Sequence, residues 1–109
     1  MGNRAQVFIE AEGVYLYTHW GADRLVEAVR IALERKERWN DPEYLARIVF
    51  CEMVRGYESK AEGFGIRTSE HGDIWRLITL TEDNRVKVKD HDHITFEGTY
   101  EEFIKQTFK

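Results

Sequence analysis

Imidazoles and carboxylates alternate in the segment Asp90-His91-Asp92-His93, and both groups are ligands that zinc and manganese accept. On a strand, His91 and His93 would point to the same side. An earlier turn offers a further ligand in His71 or Asp73. The segment therefore suggests a metal site of His91, Asp92, His93 and His71, and with it a small metal-dependent hydrolase whose metal activates a bound water. The alternative is a polar turn between two strands, where such residues are common.

Aromatic residues alternate in a second segment, where strand periodicity places Tyr15, Tyr17 and His19 on one face. Tyrosine and tryptophan suit protein contacts because they bury a large area and keep a polar group. Trp39, between two predicted helices, either anchors a partner from an exposed position or folds under the interhelical turn. These four residues favour a non-catalytic module that binds another protein or a second copy of itself. The alternative is an ordinary strand whose tyrosine rings cover the sheet.

Other residue types that perform chemistry give little signal. Cys51, in the middle of a predicted helix, is expected to be a buried structural thiol because nothing nearby in the sequence would activate it. The serines lack a nucleophile-elbow context, and Gly63-Phe64-Gly65 falls short of a phosphate-binding fingerprint. We therefore predict no cofactor, and an enzyme is the less favoured interpretation.

Length and charge narrow the function classes further. A chain of 109 residues, 42% hydrophobic and 33% charged, fits one domain spanning residues 1–109. The net charge of −4 makes nucleic acid an unfavoured partner, although the alternating Arg85, Lys87 and Lys89 keep it open as an alternative. A single cysteine and the lack of a long apolar run predict a cytoplasmic protein without membrane contact.

The periodicity of apolar residues predicts the elements that must position these side chains. A helical period runs from Ala22 to Glu37, and Asp41-Pro42 opens a second helix that continues to Arg55. Thr99 and Glu102 form a capping box for a short last helix. Period-two or β-branched runs predict the strands Gln6 to Glu10, Val14 to Thr18, Phe64 to Arg67, Ile74 to Thr81, Arg85 to Lys89, and His93 to Glu97.

This order predicts an α+β fold in one domain. The N-terminal hairpin and a C-terminal meander would form an antiparallel sheet, since short turns separate consecutive strands. The two central helices and the short C-terminal helix would pack together on one face of that sheet.

The opening Gly2-Asn3-Arg4-Ala5 and the segment from Tyr15 to Gly21, YLYTHWG, resemble a group of small uncharacterised prokaryotic and phage-related proteins. The resemblance covers about the first twenty residues, with a weaker echo in Gly63-Phe64-Gly65-Ile66. It implies a first β-hairpin that leads into a helix. No activity is assigned to this group, so the resemblance implies no catalytic residue.

Overall fold

The computed structural model describes residues 3–106 of the chain. These residues form β1 (Ala5–Ile9), β2 (Val14–Thr18), α1 (Ala22–Glu34), α2 (Pro42–Met53), β3 (Phe64–Arg67), β4 (Arg76–Leu80), β5 (Arg85–Asp90), β6 (His93–Thr99) and α3 (Tyr100–Ile104). Within the described chain, no helix has both the length and the apolar character needed to cross a membrane.

The strands form one sheet in the order β3-β2-β1-β4-β5-β6. The α+β class and the predicted set of helices are confirmed, but the sheet is not wholly antiparallel, because β1 and β4 pair in parallel. The reason is the position of β3, which pairs with the outer side of β2 instead of joining the meander. The chain must then cross from β3, at one edge, to the far side of β1. We call residues 68–75, which make this passage, the crossover loop.

The three helices pack on one face of the sheet. Alternate residues of each central strand point toward them and are buried, among them Val7, Leu16, Ile78 and Val88. Leu25, Val29 and Leu33 line the inner side of α1 and complete the core with α2 and α3. Within residues 3–106, the opposite face of the sheet carries no helix.

Local signals fix the starts of two helices as predicted. The Asp41 side chain accepts a hydrogen bond from the Tyr44 N–H, and Pro42 occupies the first turn, where its missing N–H is tolerated. The capping box at α3 is complete: Thr99 Oγ1 accepts from the Glu102 N–H at 3.1 Å, and Glu102 Oε1 accepts from the Thr99 N–H at 2.7 Å.

Two predictions about the helices are wrong. Helix α1 ends at Glu34 rather than Glu37, since Lys36 and Arg38 adopt left-handed φ angles of 53° and 59°. Cys51 is exposed rather than buried. The inner side of α2 is formed by Leu45, Ile48, Val49 and Met53. Cys51 lies two positions after Val49 and therefore on the opposite side of the helix.

Candidate functional site

The face of the sheet away from the helices, here called the open face, has an aromatic centre. Phe8 and Tyr15 are direct partners across β1 and β2, and their rings stack with centroids 4.3 Å apart and planes inclined by 15°. Tyr17 follows on the same side of β2. All three rings are half-buried. Their partly accessible surfaces therefore lie in the middle of a twisted sheet rather than at its rim.

Cations flank this aromatic centre on both sides. Arg67 on β3 pairs directly with Tyr15, and direct cross-strand partners project on the same side of a sheet. On β5, Lys87 is the partner of Thr79 and Lys89 the partner of Leu77, and Arg85 shares their side by alternation. The strands bring one carboxylate to this face, Glu97 opposite Lys87.

Arg67, Lys87 and Lys89 form no ion pair with another residue of the segment 3–106, whereas the charge of Arg85 acts on the carboxylates of Asp83 and Glu102. The strands thus give the open face three unpaired positive charges and one negative charge, although the whole chain carries a net charge of −4. The negative net charge of the chain therefore does not indicate the charge of the open face.

The crossover loop covers one corner of the open face. Gln6 of β1, which is fully buried, accepts a hydrogen bond from the His71 N–H at 2.8 Å and donates one to the Ser69 carbonyl at 3.4 Å. The His71 ring stacks on Tyr17 with centroids 4.8 Å apart. At the end of the loop, Trp75 Nε1 donates to Asn3 Oδ1 at 2.9 Å. The loop is held by partly buried polar and aromatic contacts.

A polar cluster of Arg4, Tyr17, His19, His71 and Asp73 forms at this corner. Arg4 Nε donates to His19 Nδ1 at 3.2 Å, and the Tyr17 hydroxyl lies 3.0 Å from the same nitrogen. Since Arg4 can only donate, His19 Nδ1 accepts and the proton of the neutral ring lies on Nε2. His19 therefore presents an N–H donor away from the cluster.

Asp73 joins the two sides of the cluster. Its carboxylate pairs with Arg4, and its second oxygen lies 2.5 Å from His71 Nδ1. That nitrogen is shielded from solvent. The two atoms are close enough for an ion pair, but their geometry is not that of a hydrogen bond. Desolvation raises the pKa of Asp73, but the contact with His71 and the charge of Arg4 outweigh it, so the pKa lies below its ordinary value.

The Tyr17 phenol remains protonated at neutral pH. Burial raises its pKa above the ordinary value, and this effect exceeds the opposing influence of the Arg4 charge. The cluster therefore orients donors at the edge of the aromatic centre, with Tyr17 as a neutral group.

The structure brings together three of the four residues predicted to contact a partner. Tyr15 and Tyr17 lie on the open face, and His19 contacts Tyr17 at its corner. Trp39 lies on the helix side: its Nε1 donates to the Leu33 carbonyl at 3.1 Å, and its ring packs edge-on against Tyr100. It thus folds under the interhelical turn, which is the second of the two predicted alternatives.

Three of the residues predicted as metal ligands, His91, Asp92 and His93, lie at the turn between β5 and β6, whereas the fourth, His71, lies in the crossover loop. His91, with a left-handed φ of 54°, begins the turn between β5 and β6, and its ring stacks on Trp75. His93 is exposed at the start of β6, whereas His71 belongs to the polar cluster. Among residues 3–106, no three His, Cys, Asp or Glu side chains are placed to hold a metal ion, and Asp92 is exposed in the same turn as His91.

Sequence reasoning missed Phe8, Arg67 and the pairing of Arg4 with Asp73. The alternation of β1 identifies the side of Phe8, but Arg67 reaches the aromatic centre only because β3 pairs with β2. No protein-family model, curated protein or solved structure matches this chain with significant similarity.

Proposed function

We propose that this protein is a non-catalytic binding module whose open face holds single-stranded nucleic acid. One observation carries the proposal: the stacked Phe8 and Tyr15 rings lie between unpaired cations, with Arg67 on one side and Lys87 and Lys89 on the other. Aromatic rings that receive bases, beside cations that receive phosphates, are the combination by which proteins bind single strands.

The dimensions of the sheet suit a strand that crosses it. Four strand spacings separate β3 from β5, about 19 Å at the usual ~4.8 Å per spacing. An extended oligonucleotide lying across the strands would bring phosphates to Arg67 and to the β5 lysines while bases meet the central rings. Binding would be sequence-tolerant, since every base has a π face.

The sequence favoured a protein partner or a second copy at Tyr15, Tyr17, His19 and Trp39. Two observations weigh against that choice. Trp39 lies on the helix side, so the four residues do not form one surface. Lysine is depleted in the centres of protein interfaces, whereas Lys87 and Lys89 adjoin the aromatic centre here. The charge of the open face favours a polyanion over a neutral protein surface.

Fluorescence anisotropy with labelled single-stranded RNA and DNA of about 12 nucleotides tests this function, since that length spans typical single-strand sites. We expect binding by the wild-type chain at low salt, and a loss of about fivefold or more in affinity for Tyr15→Ala, because one stacked base is worth ~1–3 kcal/mol. Tyr44→Ala, at an exposed position of α2, is the matched control and should bind like the wild type.

Two results would overturn the proposal. One is the absence of binding at micromolar protein concentrations. The other is concentration-dependent self-association in sedimentation velocity that Tyr15→Ala abolishes while oligonucleotides have no effect, which would restore the protein-partner interpretation.

A further inference from the structure

A pocket of about 360 Å³ opens on the helix side of the molecule, between α1, α2 and the segment that leads into β3. Its volume lies at the lower end of the range of ligand sites, ~300–1,000 Å³. The floor is apolar and includes Leu25, Ala28 and Met53. Since it lies on the opposite side of the sheet from the open face, it is independent of the proposed function.

The wall of the pocket is aromatic and held in a fixed arrangement. Trp20, Tyr57 and Phe64 contact one another with ring centroids 5.8–6.4 Å apart. The Trp20 ring lies directly over Gly63, which has a φ of +92° and where a Cβ atom would overlap the ring. Contacts within the chain therefore hold the wall in place, as in sites that are largely preformed.

Apolar exposure concentrates around this pocket. Among the described residues, six large apolar side chains are exposed, and three of them line it: Trp20, Ile31 and Tyr57. Exposed apolar side chains gathered around one concavity mark a binding site more strongly than the same side chains scattered singly.

The charges at the rim leave one cation without a partner. Both carboxylate oxygens of Glu27 accept from Arg30, which also donates to Glu34, and both oxygens of Glu52 accept from Arg55. Arg24 lines the same pocket and forms no ion pair within residues 3–106. The site therefore joins an apolar body to one guanidinium that forms no ion pair with the described residues, a group that suits carboxylates.

We infer that this pocket binds a small aromatic carboxylate, whose ring lies against Trp20 and the apolar floor and whose carboxylate pairs with Arg24. The modest volume favours a small molecule over a helix or a folded partner. An apolar C-terminal residue of a peptide offers the same chemistry, and the experiment separates these two sources.

The test follows backbone amide signals of Gly21, Ala28 and Met53 in ¹H–¹⁵N NMR spectra of the full chain during titration with indole-3-acetate and with its neutral amide. We expect saturable shifts, with the carboxylate bound about tenfold more tightly than the amide, as a charge-assisted hydrogen bond predicts. Arg24→Gln should remove this preference. Arg47→Gln, on an exposed part of α2 outside the pocket, should keep it.

Ala28→Leu provides a second variant, since a larger side chain on the floor should weaken both ligands while the fold is retained. Equal affinities for acid and amide, an unchanged preference in Arg24→Gln, or no shifts up to millimolar ligand would each overturn the inference. The inference would also be overturned if a short peptide with a C-terminal tryptophan bound and indole-3-acetate did not. Oligonucleotide binding should be the same in Arg24→Gln, so failure here is distinguishable from failure of the open-face proposal.

Discussion

His71 of the crossover loop stacks on Tyr17 of β2, with ring centroids 4.8 Å apart and planes inclined by 19°. The stack fixes the loop over one corner of the open face and leaves Phe8 and Tyr15 beside it. The same loop connects β3 to β4, which run in the same direction, and carries the chain over the sheet to the far side of β1. For this reason β4 pairs with β1 in parallel. The parallel pairing of β1 with β4 and the shape of the candidate site thus both result from the crossover loop.

The anchor of the crossover loop can be tested at Gln6. We expect Gln6→Leu to lower the free energy of unfolding by about 1–3 kcal/mol, because it leaves the His71 N–H without its buried acceptor. Urea unfolding measures the loss, and hydrogen exchange should show faster exchange at His71. Gln106→Leu, at an exposed position, is the control. An unchanged exchange rate at His71 would show that the Gln6 contact does not hold the loop.

Two features require glycine at position 63, namely the Trp20 ring that lies over it and its own backbone conformation. Its φ of +92° is strained for any residue with a Cβ atom, and that atom would overlap Trp20. We expect Gly63→Ala to destabilise the chain by about 1–3 kcal/mol, measured by thermal unfolding. Gly72→Ala meets open space at an ordinary φ and should change stability by less than about 0.5 kcal/mol. Equal melting temperatures for the two variants would contradict this account of the aromatic wall.

Tyr100 gives the protein a specific sensitivity to alkaline pH. Burial, together with the charge of Asp83, raises the pKa of its phenol from 10.0 to about 12. The folded state therefore holds the proton more tightly than the unfolded state. This contribution is fully present below pH 10 and is lost as the pH rises toward 12.

Tyr100→Phe isolates this effect. Between the two pKa values, the wild type should lose about 2–3 kcal/mol of stability relative to Tyr100→Phe, measured by urea unfolding across the pH range. Tyr44→Phe, at an exposed position, should follow the wild type. Parallel pH profiles for wild type and Tyr100→Phe would show that this phenol is not the responsible group.

Local chemistry made much of the fold predictable. Asp41-Pro42 and Thr99 with Glu102 specify helix starts through contacts within four residues, and the structure confirms both. The pairing of β3 with β2 depends on contacts distant in sequence, which a period-two pattern in Phe64–Arg67 cannot specify. Cys51 was misplaced because α2 has apolar residues on more than its buried side.

The candidate site was predictable only in part, for the same reason. Alternation along β2 places Tyr15 and Tyr17 together, since that relation is local. The charge of the open face depends on which strands are neighbours: Arg67 and Lys87 lie on opposite sides of the aromatic centre only because of the strand order. The net charge of the whole chain does not indicate that cations lie on both sides of the aromatic centre.

The salt dependence of oligonucleotide affinity shows whether the cations of the open face contact phosphates. Anisotropy titrations of a labelled single strand, repeated over a series of salt concentrations, would compare the wild type with the triple variant Arg67→Gln, Lys87→Gln and Lys89→Gln. The matched control replaces three exposed cations away from the open face: Arg47, Lys60 and Lys105. Each phosphate contact contributes about −0.7 to the slope of log K against log salt for single strands.

If the open face binds the strand, the triple variant loses affinity and its slope becomes shallower by about 2, whereas the control keeps the slope of the wild type. Equal slopes for the wild type and the triple variant, or an equal loss in the control, would contradict the assignment of the open face as the nucleic-acid site.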